Sequence, residues 1–222
     1  TQLEAVNYSM LDKLEIRIRL IGRWGLGRQM PNESMLYMGG ANPEQQMEDK
    51  YTRSIGFTPN DWRGTSLYDV NHWQQGGGLN LRGYAGYYAP DEHNNGLLTG
   101  YKGRSGAGAN LEVGISNYLQ WRPKLTRNWL RADVYAFADA GVMELSSYQT
   151  YNFRVTTPTS TWSTLHADAG AGCAFTIKKW GVFDKAKPLT IRVDFPVFLN
   201  RPPFGNSDYV AMRYIVGINR AF

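Results

Sequence analysis

The sequence predicts an all-β protein and, more narrowly, an antiparallel β-barrel that crosses a membrane with its strands. Three observations predict it. Apolar and polar residues alternate strictly over stretches of roughly 7 to 13 residues. Charged side chains stand at the centres of those stretches, on the less apolar face. Short connections alternate with long ones along the chain. Period two marks a strand with one buried face, because a helix would scatter the same residues around its axis.

Taken in order, "LEIRIRL" sets Leu14, Ile16, Ile18 and Leu20 against Glu15, Arg17 and Arg19. "NLEVGIS" from Asn110 alternates less cleanly. "LRADVYAFADAGV" from Leu130 places leucine, valines and alanines at even positions to Val142, against Arg131, Asp133, Tyr135, Phe137, Asp139 and Gly141. From Leu165, "LHADAGAGCAFTI" opposes Leu165, Ala167, Ala169, Ala171, Cys173, Phe175 and Ile177 to His166, Asp168 and small residues. "LTIRVDF" opposes Leu189, Ile191, Val193 and Phe195 to Thr190, Arg192 and Asp194, and "MRYIVGI" from Met212 closes the series. These stretches make about six strands, in segments 13–25, 109–121, 129–143, 164–178, 188–199 and 210–222.

A soluble sandwich also alternates, with its apolar face inward, but three features favour the membrane. The strands suit the roughly 9–11 residues that cross a bilayer obliquely. A dry core would not accept Arg, Asp, Glu and His unpaired at strand centres. Trp121, Trp129, Trp180, Phe183 and Phe198 fall near segment ends, where interfacial aromatics belong. "RPKLTRN" and "KKWGVFDKAKP" are short connections, whereas 26–109 and 144–164 are long, the asymmetry of an outer-membrane barrel. Closed membrane barrels start at about eight strands. Residues 1–222 are therefore expected to be the C-terminal part of one larger barrel domain, its other strands on a preceding segment or another chain.

Bulk properties bound the function. The chain has 222 residues, of which 42% are apolar, 14% aromatic and 19% charged, too apolar for a disordered segment. The lone Cys173 excludes an internal disulfide framework. The net charge of +5 is scattered and selects no nucleic-acid partner. No apolar run reaches the length of a membrane helix, and no basic start with an apolar core marks a signal peptide, so the expectation is a removed targeting segment or one piece of a longer protein.

The stretch "QQGGGLNLRGYAGYY", residues 74–88, fits no strand or helix. Its glycines lack the Gly-Lys-Ser/Thr ending of a phosphate loop. "GGGLNLRGY" resembles the glycine and arginine-glycine-aromatic loop signature of the bacterial surface antigen superfamily, the BamA, TamA and FhaC group of outer-membrane barrels. "RQMPNESMLYMGGAN" resembles the proximal part of that loop, followed by a long insertion before residue 76. "NLEVGISNYLQW", "VYAFADAGV", "ADAGAGCAFTI…KPLTIRVDFPV" and "MRYIVGINRAF" resemble the family's later strands, in family order. The resemblance covers most of residues 76–222.

That resemblance implies a barrel of 16 strands in the outer membrane of a Gram-negative bacterium, with residues 26–109 folded back into the lumen. It implies that Arg82, followed by Gly83 and Tyr84, binds Glu112 on one strand and Phe137 and Asp139 on the next, in the Phe-x-Asp-x-Gly pattern that closes at Gly141. The alternation independently places Glu112, Phe137 and Asp139 on the polar face. Gly76, Gly77, Gly78 and Gly83 are expected to clear a narrow lumen and take positive φ. Tyr214, Val216, Ile218 and Phe222 resemble the terminal strand by which barrel proteins are recognised for insertion, though an ordinary final strand has the same geometry.

The function implied is insertion or translocation of proteins, with membrane lipid, client proteins and periplasmic or lipoprotein subunits as partners. A barrel anchoring a fused enzyme (patatin-type lipase or metallopeptidase-like) and a passive channel are the alternatives. Within these residues no enzyme site declares itself and no cofactor is expected. "DEHNN", residues 91–95, reads as a polar turn rather than metal ligands. His166 reads as a wall residue, since no second histidine is placed for a zinc site. Cys173 reads as a small apolar filler.

Overall fold

The computed structural model describes residues 1–11, 13–26, 31–48, 72–85, 88–90, 98–100, 102–116, 129–147, 150–151, 154–155, 159–178, 188–202 and 207–218. The fold is mostly antiparallel β-sheet with almost no helix. In chain order the elements are β1 (Gln2–Leu11), β2 (Leu14–Arg23), β3 (Leu36–Tyr37), helix α1 (Pro43–Glu48), β4 (Trp73–Gln75), β5 (Tyr88–Pro90) and β6 (Leu98–Gly100). There follow β7 (Lys102–Gly114), β8 (Leu130–Ser147), β9 (Thr150–Tyr151), β10 (Arg154–Val155), β11 (Thr159–Trp162), β12 (His166–Ile177), β13 (Leu189–Leu199) and β14 (Ile215–Ile218).

One sheet runs in the order β1-β2-β7-β8-β12-β13-β14-β4, with β3 attached to β7 and β11 to β8. The pairs β5–β6 and β9–β10 stand apart from it. The sheet is open, ending at β1 on one side and at β4 on the other. All its pairings are antiparallel except β14 with β4. No helix among the described residues is long and apolar enough to cross a membrane, which says nothing about strands.

Several strands differ from the reading of the sequence: β14 covers only Ile215–Ile218 of the segment 210–222, β8 runs on to Ser147, and short strands occur within the two long connections. β1 was not expected, because Gln, Glu, Asn and Ser mix with apolar residues on both of its faces and blur the alternation. It forms a hairpin with β2, from Gln2 opposite Arg23 to Leu11 opposite Leu14. β7 begins at Lys102, not 109, because "KGRSGAGA" carries too few large side chains to display a period.

Burial along the long strands is inverted relative to a water-soluble sheet. Arg17, Arg19, Asn110, Glu112, Asp139, Asp168, Arg192 and Asp194 are all buried. On the opposite parity Ile18 is 40% exposed, Leu20 53% and Leu111 38%. Trp129 and Phe198, at strand ends, are also exposed. Trp121, Trp180, Phe183 and residues 91–95 lie outside the described residues.

The polar face is covered by the excursion between β2 and β7. Residues 35–42 and 72–85 lie against it, joined by backbone bonds from Leu79 N to Tyr37 O (2.9 Å) and Leu81 N to Met38 O (2.8 Å). Helix α1 starts here for a local reason. Asn42 Oδ1 accepts from Gln45 N, Gln45 Oε1 accepts from Asn42 N, and Pro43 occupies the first helical position. Leu36, Met38, Leu79, Leu81 and Tyr84 from the excursion join Ile21, Met143 and Leu199 from the sheet in one buried apolar cluster. Each such side chain contributes about 1.5–3 kcal/mol when fully buried.

Between β8 and β12 the outward side chains are small. Ala140 faces Ala167, Ala138 faces Ala169 and Ala136 faces Ala171. On the inner side the same pair of strands is tight: a Cβ at Gly172 would lie 2.7 Å from the Tyr135 ring and against the Asp194 carboxylate. Gly172→Val should therefore lower stability by about 1–3 kcal/mol. Ala171→Val, one residue along on the exposed side, should change it by less than about 0.5 kcal/mol. Thermal unfolding followed by circular dichroism compares the two, and equal losses would contradict this packing.

Candidate functional site

The site is built around Arg82, which opens a single 3-10 turn over Arg82–Tyr84 and has no exposed side-chain surface. Its Nε donates to Asp139 Oδ2 at 2.9 Å and its NH2 to Asp139 Oδ1 at 3.3 Å, a two-pronged contact on one carboxylate. Its NH1 donates to Glu112 Oε1 at 2.8 Å, and its backbone N to Asp139 Oδ2 at 3.3 Å. The guanidinium carbon stands 4.0 Å from the centre of the Phe137 ring, within cation–π range. Burial works against the charge of Arg82, but Asp139 and then Glu112 outweigh it and hold the guanidinium above its ordinary range.

Register brings these partners together. Across β7 and β8, Asn110 opposes Asp139 and Glu112 opposes Phe137, so both carboxylates point to the same face two residues apart. Asn110 Nδ2 donates to Asp139 Oδ1 at 3.0 Å and also to the carbonyls of Leu79 and Asn80. Arg17 NH1 reaches the second oxygen of Glu112 at 3.4 Å. Arg19 NH2 donates to Gly78 O at 2.9 Å, gripping the loop just ahead of Arg82.

Several members were not anticipated. Asp194 stands 3.8 Å from Arg82 NH1, accepts from the Tyr135 hydroxyl and is ion-paired with Arg192. Asp168 sits opposite Asp139 across the β8–β12 pair, and both its carboxylate oxygens are buried with no hydrogen-bond partner among the described residues. All of these residues share the polar parity, so the signal existed. What the sequence lacked was any mark of which polar residues crowd the same few ångströms.

Tyr84 makes a second contact further along the sheet. Its hydroxyl donates to Asn200 Oδ1 at 2.9 Å and accepts from Arg201 N at 3.3 Å. Burial pushes that hydroxyl above its ordinary range, keeping it a donor. The His166 ring meets Tyr84 edge-on at 5.0 Å. Asn200 in turn accepts from Ala167 N and donates to Leu165 O, so one carboxamide ties the start of β12 and the end of β13 to the loop.

The glycines divide by role. Gly77 and Gly78 take positive φ, +148° and +52°, and a Cβ at Gly78 would strike the carbonyls of Tyr37 and Gly40. Gly76 and Gly83 do not take positive φ, contrary to expectation. Gly83 instead gives clearance, since a Cβ there would lie 2.8 Å from Asp168 Cβ and 2.9 Å from Leu199 Cδ2. Gly141 does likewise beneath Leu81, at 3.0 Å. Tyr214, just before the last strand, is exposed and Val216 half-buried, whereas Ile218, of the same parity, is buried. There β14 is flanked on both edges, Ile218 opposing Ile191 and Gln75. Phe222 lies outside the described residues.

Chemically the arrangement is a fixed ionic cluster. Cys173 is free and half-buried. No group of three or more His, Cys, Asp or Glu able to hold a metal occurs among the described residues. No protein-family model, curated protein or solved structure matches the chain.

Removing Arg82 strands the buried Asp139 carboxylate and leaves Glu112 with Arg17 alone. Arg82→Met should cost about 3–5 kcal/mol. Arg82→Lys should recover only part of this, because an ammonium cannot fork between Asp139 and Glu112. Adding Asp139→Asn to Arg82→Met should restore some stability by removing one stranded charge. Denaturant unfolding of the single and double variants reads this coupling, and strictly additive losses would contradict it.

Proposed function

We propose that the chain is the C-terminal part of a transmembrane β-barrel of the outer membrane, in the BamA, TamA and FhaC group, acting in the insertion or translocation of proteins. The observation that carries this reading is the inverted burial. The strands bury Arg17, Arg19, Glu112, Asp139, Asp168, Arg192 and Asp194, and expose Ile18, Leu20 and Leu111. In water that distribution leaves apolar surface uncovered, whereas against hydrocarbon it is the favourable one. The Arg82 cluster supports the same reading, because it joins an arginine-glycine-aromatic loop to the two carboxylates that the family resemblance implies.

On this reading the excursion between β2 and β7 is a loop held inside the barrel. Arg82 latches it to β7 and β8, and Tyr84 anchors it near β12 and β13. The work involves no covalent chemistry: the loop holds the shape of the wall while a client polypeptide uses the barrel as a template or a path.

Two measurements test this. With bimane on a single cysteine in a Cys173→Ser background, Ala138→Cys should be quenched by brominated acyl chains and Arg131→Cys should not. Equal quenching at both positions would exclude a lipid-facing outer side. Vesicles carrying the protein should also fold a urea-denatured outer-membrane barrel faster than protein-free vesicles. Steady conductance without that acceleration would identify a passive channel instead.

A further inference from the structure

Two carboxyl groups face each other behind the latch. Asp139 on β8 and Asp168 on β12 are directly opposed in the antiparallel register, so their side chains leave the sheet on the same side. Each is only 2% exposed. Their surroundings differ. Asp139 accepts from Arg82 Nε at 2.9 Å and from Asn110 Nδ2 at 3.0 Å. Glu112 has Arg82 and Arg17, and Asp194 has Arg192 and the Tyr135 hydroxyl. Neither oxygen of Asp168 has a hydrogen-bond partner among the described residues, and both are buried.

The groups that face Asp168 come from the loop and from three strands. The loop backbone presses on it at Gly83, where a Cβ would lie 2.8 Å from Asp168 Cβ and 3.2 Å from its Cγ. From the same turn Arg82 and the Gly83 N–H act on the carboxyl, as does Tyr84, whose hydroxyl is turned to Asn200 and Arg201. Asp139 stands opposite on β8, and apolar Leu199 opposite on β13. Two residues back on β12 is His166, with its Nδ1 2.8 Å from Thr164 O. A buried carboxylate without donors is unfavourable, and two carboxylates side by side do not both ionise. One proton resolves both difficulties, because it turns an acceptor-only group into a donor. The acceptor beside it is Asp139, whose contacts from Arg82 N and NH2 are long, 3.3 Å each, and leave room for a further donor.

We infer that Asp168 is a proton-binding site: at neutral pH it stands as a carboxylic acid that donates its O–H to Asp139, and loss of that proton loosens the loop. Once it leaves, a second negative charge faces Asp139 within the sheet and pushes against the turn at Gly83. The unfolded chain gives up this proton in the ordinary carboxyl range, about 4, whereas the folded chain keeps it to higher pH. Stability from the pair is therefore complete below that range and declines as pH rises, until the folded protein too has lost the proton. Carboxylates paired with cations give the opposite trend, so the two contributions are separable. Nothing in this pair depends on what the barrel inserts or translocates.

The test compares wild type with Asp168→Asn, whose amide donates to Asp139 as the acid does but has no proton to lose. Infrared spectra of the protein in detergent at neutral pH should show the carbonyl band of a protonated carboxylic acid. That band should move when aspartate with a heavy carboxyl carbon is incorporated, and be missing from Asp168→Asn. Between about pH 6 and about pH 9 the melting temperature of wild type should fall by at least about 3 °C more than that of Asp168→Asn. At the alkaline end, amides of residues 82–85 should exchange at least about threefold faster in wild type than in Asp168→Asn, and equally at the acid end. No such band in wild type, or the same band in Asp168→Asn, overturns the inference. Equal pH dependence of melting in the two proteins, or equal exchange at residues 82–85 throughout, overturns it as well. Should Asp168→Asn not fold, wild type alone decides: its band and its melting temperature should fall together as pH rises, and a band unchanged across the range overturns the inference.

Discussion

Burying one guanidinium sets the terms for the rest of this structure. Arg82 has lost its water, and an ion without water costs several kcal/mol unless its partners are already in place. Those partners come from two strands that must pair in one register, with Asn110 opposite Asp139 and Glu112 opposite Phe137. A slip of one residue would turn both carboxylates to the outer face and strand the charge. The loop must also approach closely, which explains residues without side chains where it meets the wall, at Gly83 and Gly141. Register, loop path and glycine placement are consequences of a single electrostatic requirement.

The ionic contact does not act alone. Leu36, Met38, Leu79, Leu81 and Tyr84 form with Ile21, Met143 and Leu199 the principal apolar cluster, which lies between loop and sheet. The polar face is thus roofed by the chain's own apolar residues, and the low-dielectric surroundings strengthen every contact Arg82 makes. Apolar burial sets the depth of the loop; the charges set its position along the strands.

Much of this was legible in the sequence, and the reasons for the rest are physical. Strict alternation placed Glu112, Phe137 and Asp139 on the polar face, because side-chain direction in a strand depends only on parity. Distance across the sheet depends on register, which parity does not carry, so the nearness of Asp194 and Asp168 to Arg82 was hidden. β1 escaped notice because both of its faces are mixed, and the start of β7 because glycine and alanine display no period. The apolar half of the loop was hidden for a third reason: irregular backbone imposes no spacing on buried residues, so Leu79 and Leu81 look like any leucines near a turn. The loop glycines were read as one group, although Gly77 and Gly78 serve backbone conformation and Gly83 serves clearance.

The alanine strip between β8 and β12 has a consequence for where the wall gets its strength. Pairs such as Ala138 with Ala169 and Ala140 with Ala167 offer almost no side-chain contact across the strands on the outer side. The same two strands carry Tyr135, Phe137, Asp139, His166 and Asp168 inward, toward the loop and its cluster. These central strands therefore adhere through backbone bonds and through what stands behind them, much as a thin shell is stiffened by ribs on its inner surface. With small side chains on its uncovered face and its bracing on the covered one, such a sheet leaves its surroundings little to grip, and anything that loosened the bracing would be felt first at this alanine seam.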